Sequence, residues 1–97
     1  MFVKSKLLER RLIETGQRLK RLRADLQVAE EQLSHFSEEA DDARIRSLVS
    51  ETPLAGHEHR EASKHEDSMR RHRELLLKEI ARVEDLQNQL LDQMASQ

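Results

Sequence analysis

Four of the five histidines lie in one short stretch, GHEHREASKHEDSMRRH (residues 56–72), where they are mixed with charged side chains. Imidazole and carboxylate groups can bind a metal ion together, and imidazole also titrates near neutral pH. Metal ligands on a helix must share one face, which requires spacings of three or four residues. His57 and His59 are two residues apart, however, and His65 and His72 are seven apart. We therefore expect neither a metal site nor another cofactor.

Two of these histidines have a second interpretation. His65 and His72 fall beside Met69 and Leu76 at the edge of the predicted helix interface. Protonation there would change charge and packing, which makes the two histidines pH-sensitive candidates. The more ordinary interpretation is that they are amphipathic side chains lining a helix interface. A metal- or pH-responsive sensor is therefore an alternative function, although Glu61 with His65 offers only two ligands of suitable spacing.

The rest of the sequence offers little for catalysis. It has no cysteine and no glycine-rich phosphate-binding loop, and two long helices cannot enclose a substrate pocket. We therefore expect a protein that is not an enzyme. The basic segment RLKRLRAD (residues 18–25) makes a nucleic-acid-binding hairpin a further alternative. The net charge of −2 and the lack of aromatic residues in this segment disfavour it.

Composition predicts an all-α fold. Charged residues make up 37% of the 97 positions and aromatic residues only 2%, with two glycines and one proline. Aliphatic residues are interspersed with Glu, Lys, Arg and Gln, as in coiled coils and long helices. A chain of this length suits one domain, so we expect residues 1–97 to form a single helical-hairpin domain.

Apolar residues recur at alternating steps of four and three along the first half of the sequence. This is the heptad pattern with which helices pack in coiled coils. We call the row of residues at these positions the seam of the helix. Gly16 falls within the pattern and weakens the helix by about 1 kcal/mol relative to Ala without ending it. Ten of the eleven positions are apolar, and Thr15 is the exception: Leu8, Leu12, Thr15, Leu19, Leu22, Leu26, Ala29, Leu33, Phe36, Ala40 and Ala43.

The clearest helix boundary is at SETPLAG. Thr52 is a favourable N-cap, and Pro53 suits the first position of a helix while disfavouring helical geometry at Thr52. A second, weaker start lies at Ser37, which precedes several acidic residues. The predicted elements are a helix at about residues 3–36 that continues to 50 or restarts as a short tip helix at 38–50, a turn at 50–53, and a helix at about 53–95.

The charge pattern and the width of the apolar stripe on the second helix predict how the helices assemble. Residues 4–23 carry eight basic and two acidic side chains, whereas residues 25–42 carry seven acidic and no basic ones. A long antiparallel coiled-coil hairpin places both segments opposite complementary charges on the second helix. The apolar stripe of that helix is wider than a two-helix seam, which favours a homodimer with the architecture of a four-helix bundle. The stripe contains Ala62, Met69, Leu76, Leu77, Ile80, Val83, Leu86, Leu90, Leu91 and Met94, and Ile13, Val28 and Leu75 also lie off the main seam.

The end of the hairpin is the candidate site for a protein partner. Its apolar residues have few intramolecular partners, and charged residues flank them, as is typical of interaction surfaces. The alternative is that a short tip helix folds back and caps the bundle with the same side chains. The candidate partner-binding residues are Arg44, Ile45, Arg46, Leu48, Val49 and Leu54.

The cellular setting is less constrained. No apolar run approaches the about 20 residues needed to cross a bilayer, and the first residues lack the features of a signal peptide, so we expect a cytoplasmic protein without membrane association. The coiled-coil hairpin predicted for this chain resembles the hairpins of several bacterial regulators. We therefore expect an adaptor or regulator that binds another protein through the tip of its hairpin or through its exposed apolar face, in a setting such as bacterial transcription or cell organisation.

Overall fold

The computed structural model describes the backbone of residues 2–96 and the side chains of residues 5–96. In this part of the chain there are two α-helices, α1 (Phe2–Ser50) and α2 (Pro53–Ala95), and no strand. The two helices run antiparallel as a hairpin. The all-α hairpin predicted from composition and heptad spacing is therefore confirmed.

Glu51 and Thr52 reverse the direction of the chain. The Thr52 hydroxyl accepts a hydrogen bond from the Ala55 N–H at 3.2 Å, as an N-cap does. Pro53 is the first residue of α2, where a missing N–H removes no helical hydrogen bond. Glu51 has a positive φ of 51°, and its N–H donates to the Ser47 carbonyl at 3.1 Å. A left-handed residue with this hydrogen bond ends α1.

The first helix does not restart at Ser37. It is unbroken over Phe2–Ser50, so the described residues contain no separate tip helix. The Ser37 hydroxyl donates to Glu66 Oε2 at 2.6 Å instead of capping a helix N-terminus. Inside a continuous helix the preceding turn already satisfies the N–H groups that a cap would serve, which frees the hydroxyl to bond with α2.

The chain divides into two compact units, each built from part of α1 and part of α2. The first unit comprises Met1–Leu26 and Leu76–Gln97. Full burial of a branched aliphatic side chain stabilises a protein by about 1.5–3 kcal/mol, and this unit has several. Its core contains Leu19, Leu22, Ile80 and Val83, with Leu26 and Leu76 packed against them.

The second unit comprises Gln27–Leu75 and includes the turn. Its fully buried side chains are small. An alanine buries less apolar area than a leucine, so each such position contributes less hydrophobic stabilisation. The fully buried residues of this unit are Ala29, Ala40, Ala43 and Ala55.

Burial follows the heptad pattern along both helices. All eleven positions predicted for α1, from Leu8 to Ala43, are buried or half-buried. In α2 the same alternating steps connect twelve buried or half-buried positions, from Ala55 to Met94. The apolar residues expected to widen this stripe include Leu86 and Leu91, which are 38% and 49% exposed. They lie outside the seam.

Polar residues occupy part of the α2 seam. Glu66 accepts the hydrogen bond from Ser37, and Arg73 Nε donates to Glu30 Oε1 at 3.4 Å. Polar side chains at seam positions favour one register because any other register leaves them unpaired. The polar members of the seam are His59, Glu66, Arg73 and Gln87.

Gly16 allows a direct test of whether low helix propensity at one position reduces the stability of the protein. A Cβ atom built at this position has no heavy atom within 4 Å. We expect Gly16→Ala to raise the free energy of unfolding by about 1 kcal/mol, because Ala forms helix better and restricts the unfolded chain. Urea unfolding followed by circular dichroism measures the change. Ala24→Gly, at an exposed position of the same helix, should lose a similar amount. A Gly16→Ala protein no more stable than the parent would contradict the prediction.

Candidate interaction surfaces

The predicted apolar residues at the end of the hairpin are exposed, and they form what we call the tip cluster: Ile45, Leu48, Val49 and Leu54. Their exposed fractions are 52%, 65%, 80% and 66%, respectively. The flanking Arg44 and Arg46 are exposed as well. Within the described residues, no segment of the chain covers this cluster.

Helical spacing explains this exposure. The last seam positions of α1 are Ala43, which is buried, and Ser47, which is half-buried. Ile45 and Leu48 are three residues apart and therefore lie together on a different side of the helix. Because α1 is unbroken to Ser50, no separate tip helix folds back to cap the hairpin with these apolar side chains.

One side of the second unit forms a groove lined by both helices. Asp42 and Arg46 of α1 line part of it together with Glu58 of α2. Farther along, Phe36 of α1 lines it together with Ser68 of α2. This side of the unit is therefore accessible and contains charged as well as apolar atoms.

Two rows of residues extend along this groove. Because the seam repeats every seven residues, positions seven apart in one helix share a face. The residues equivalent to Asp42 in α1 and to Ser68 in α2 therefore lie on the same side as the groove lining. We call the two rows the groove face: Val28, His35, Asp42 and Val49 of α1, and Leu54, Glu61, Ser68 and Leu75 of α2.

The histidines lie mostly on the surface. His65 is exposed and contacts the Phe36 ring edge-on, with 5.8 Å between ring centroids. His35 contacts the same ring at 5.7 Å, and its Nε2 lies 3.1 Å from Glu39 Oε1. His72 is exposed. The two pH-sensitive candidates are thus solvated, and His65 alone of the two has an aromatic neighbour in the described part of the chain.

Glu61 is the carboxylate whose spacing from His65 suits a two-ligand pair. Its Oε1 lies 3.2 Å from the Lys64 ammonium, and the hydrogen bond and charge of that group lower the pKa of the carboxyl. The charges of His57 and His65 act in the same direction more weakly. Among the described residues, no group of three or more His, Asp or Glu side chains is arranged to hold a metal ion.

The basic segment of α1 pairs with acidic side chains of α2. Arg18 lies 2.8 Å from Glu79, and Arg23 lies 3.3 Å from Glu84. Glu79 also binds Arg82 of its own helix at 2.6 Å. Two of the predicted charge pairs of the antiparallel arrangement are therefore present. They involve two of the four basic side chains of the segment RLKRLRAD.

In the second unit, fewer arginines reach α1 than charge patterning predicted. Arg70 Nη2 lies 3.4 Å from Glu66 and Nη1 lies 3.2 Å from Asp67, while Arg71 donates to Ser68 Oγ at 3.2 Å. These partners are three or four residues away in the same helix. Such local pairs stabilise α2 by about 0.2–0.5 kcal/mol each but do not connect it to α1. Charge pairing between the helices of this unit therefore depends on Arg73 with Glu30.

Comparison with known proteins adds no relationship, because no protein-family model, curated protein or solved structure matches this chain. Over the described residues, neither helix contains an apolar stretch of the length that a membrane crossing requires. The surfaces themselves therefore carry the functional argument.

The Glu79 pair predicts how stability responds to acid. Hydrogen bonds from Arg82 and Arg18 lower the pKa of the Glu79 carboxyl from 4.5 to about 2. Its stabilising effect is therefore complete above pH 4.5 and is lost as the pH falls through 2. We expect Glu79→Gln to lower the thermal midpoint at pH 7 and to reduce the loss of stability between pH 4.5 and 2.

Circular dichroism melts over that pH range provide the measurement. Glu31→Gln removes an exposed carboxylate outside these ion pairs and serves as the control, because it should leave the acid response unchanged. Identical acid responses of the Glu79→Gln and parent proteins would show that the pair does not contribute to stability.

Proposed function

We propose that this protein is a non-enzymatic coiled-coil hairpin that dimerises into a four-helix bundle and binds a protein partner through its tip cluster. The observation that supports this proposal best is the exposure of four large apolar side chains at the closed end of the hairpin. Contiguous exposed apolar residues with charged neighbours favour a protein interaction site.

Helix-in-groove recognition is the proposed mechanism. Ile45 and Leu48 lie one turn apart at the end of α1, so they can enter an apolar groove of a partner as two anchors. Arg44 and Arg46 flank these anchors and would remain at the rim of the interface. Such rim charges affect orientation and association rate more than affinity, whereas the apolar anchors supply most of the binding free energy.

A cytoplasmic adaptor or regulator in bacterial transcription or cell organisation is the setting that we propose for this binding. A regulator needs a surface that another protein can recognise without a chemical step. The exposed tip fits that requirement, since its large apolar side chains are accessible to another protein.

The two alternatives have weaker support. A metal-responsive sensor would need a third ligand near Glu61 and His65, and a pH-responsive one would need histidines whose charge decides a packed contact. His65 and His72 are exposed. A nucleic-acid-binding hairpin would need unpaired basic residues, whereas Arg18 and Arg23 are paired with carboxylates.

A photo-crosslinking experiment tests the tip proposal. A photoreactive amino acid at position 48 should form a covalent adduct with one major protein in cells of the source organism. Binding of the purified partner should then fall by at least about tenfold in Ile45→Ser/Leu48→Ser, because each anchor contributes on the order of 1–2 kcal/mol. Isothermal titration calorimetry measures that loss, and circular dichroism checks that helicity is retained.

Ile13→Ser/Leu91→Ser is the matched control. These residues are 61% and 49% exposed in the first unit, so the change in surface hydrophobicity is comparable. The control protein should bind the partner like the parent. Equal losses in both variants, or unchanged binding in Ile45→Ser/Leu48→Ser, would refute recognition through the tip.

A further inference from the structure

A second groove lies in the first unit, along one side of the seam between α1 and α2. Its volume is about 350 Å³. It is about two helical turns long, since Arg11 and Arg18 on its α1 edge are seven residues apart. The Thr15 hydroxyl donates to the Leu12 carbonyl at 2.9 Å, so this residue leaves no unsatisfied polar group in the groove. The seam residues that line the floor are Thr15, Val83 and Leu90, and the floor is therefore effectively apolar.

Arginines form both edges of this groove, which we call the arginine groove. Arg11 and Arg18 belong to α1, and Arg82 belongs to α2. The Nη2 atoms of Arg18 and Arg82 lie 2.8 and 2.6 Å from the same oxygen, Oε1 of Glu79. Arg11 has no ion pair among the described residues. Because Glu14 also lines the groove, three guanidinium groups and two carboxylates leave one positive charge in excess.

The shared carboxylate leaves N–H donors free at the rim. Within the described residues Arg18 donates to Glu79 through Nη2 only, so its other N–H groups remain available to a further carboxylate. The two guanidinium groups lower the pKa of the Glu79 carboxyl to about 2, as expected where positive charge is in excess. The first unit as a whole agrees, since it contains ten basic and seven acidic residues.

The shape of the arginine groove suits a helix. Small-molecule sites bury most of their ligand, whereas two helices leave the long side of this groove open. A third helix laid along it can insert apolar side chains spaced three or four residues apart between α1 and α2. Leu86 lines the groove outside the seam and is 38% exposed, so it is accessible to such side chains.

Charge specifies the flanks of that helix. Asp or Glu on one flank can pair with Arg11 and Arg18, and Asp or Glu on the other flank can pair with Arg82. Guanidinium and carboxylate groups form strong pairs of defined geometry, which is why arginine is common in interfaces. A basic helix would place like charges against the rim and is therefore disfavoured.

Other occupants fit the arginine groove less well. One positive charge in excess is few for a nucleic-acid backbone, and no aromatic side chain lines the groove for base stacking. In a second copy of this chain the most acidic segment is residues 25–42, all of which the structure describes. Val28 is the one large apolar side chain in that segment that is well exposed. A single such side chain cannot fill a groove two turns long.

We propose that the arginine groove binds an amphipathic helix of another protein, with apolar side chains on one face and Asp or Glu on both flanks. The apolar side chains pack on the floor and against Leu86, and the carboxylates pair with the arginines at the rim. The tip cluster belongs to the second unit. This inference therefore goes beyond the proposed function by adding a second binding surface.

A synthetic peptide tests the proposal. The probe is a fluorescein-labelled helix of three heptads with Leu at the a and d positions and Glu at the flanking e and g positions. The Glu side chains repel one another in a peptide dimer, which keeps the probe available to the protein. We expect it to bind at least about tenfold more tightly than the same peptide with Lys in place of Glu. Fluorescence anisotropy measures both affinities.

Matched variants locate the binding site. Arg11→Glu/Leu86→Ser changes the arginine groove without removing a seam residue or an ion pair, and it should raise the dissociation constant of the acidic peptide by at least about tenfold. Lys20→Glu/Leu91→Ser makes the same kinds of change at exposed positions on the other side of the seam. This control should bind the peptide like the parent. Circular dichroism checks that both variants keep their helicity.

Several results would overturn the proposal: equal losses in the two variants, equal binding of the two peptides, or no binding of the acidic peptide to the parent protein. Weaker self-association of Arg11→Glu/Leu86→Ser in sedimentation equilibrium would place a second copy in the groove and would also overturn it. The Ile45→Ser/Leu48→Ser protein should bind the peptide like the parent, and a loss there would locate the peptide at the tip instead. Partner binding at the tip is tested separately by the crosslinking at position 48.

Discussion

Every surface of this molecule depends on a burial pattern that repeats every seven residues along two helices. The seven-residue repeat is slightly shorter than two turns of an ideal α-helix. Helices that keep this repeat wind around each other, and therefore stay in contact along one narrow seam. In α1 the buried and half-buried positions from Leu8 to Ala43 follow the repeat without a break. All other faces of the two helices then remain available to solvent or to another protein.

The two units maintain this seam by different means. The first has a core of branched aliphatic side chains around Leu19 and Val83, which are 2% and 1% exposed. The second buries alanines and places Glu66 and Arg73 at seam positions, where each is bonded to α1. Hydrophobic burial supplies stability in the first unit, and polar pairing favours one register in the second. Local opening requires least free energy where apolar burial is least.

A narrow seam also explains why apolar residues remain at the surface. A hairpin of two helices buries one stripe on each, so no described segment covers the tip cluster or the exposed Val28 and Leu75. Their positions are regular, because each is defined by its offset from the seam. The histidine-rich stretch contributes polar side chains to the groove of the second unit, since Glu58 and His65 line it.

The sequence by itself determined the helices, the turn at Thr52 and Pro53, the seam of α1 and the sign of the pairing charges. These features depend on local propensity and on periodicity, which are properties of neighbouring residues. Only the tertiary structure decided that α1 continues through Ser37, and that Glu66 and Arg73 belong to the seam of α2. It also decided which apolar side chains stay exposed. The reason is physical: a polar residue becomes a seam residue only when the opposite helix supplies its hydrogen-bond partner, and that depends on register.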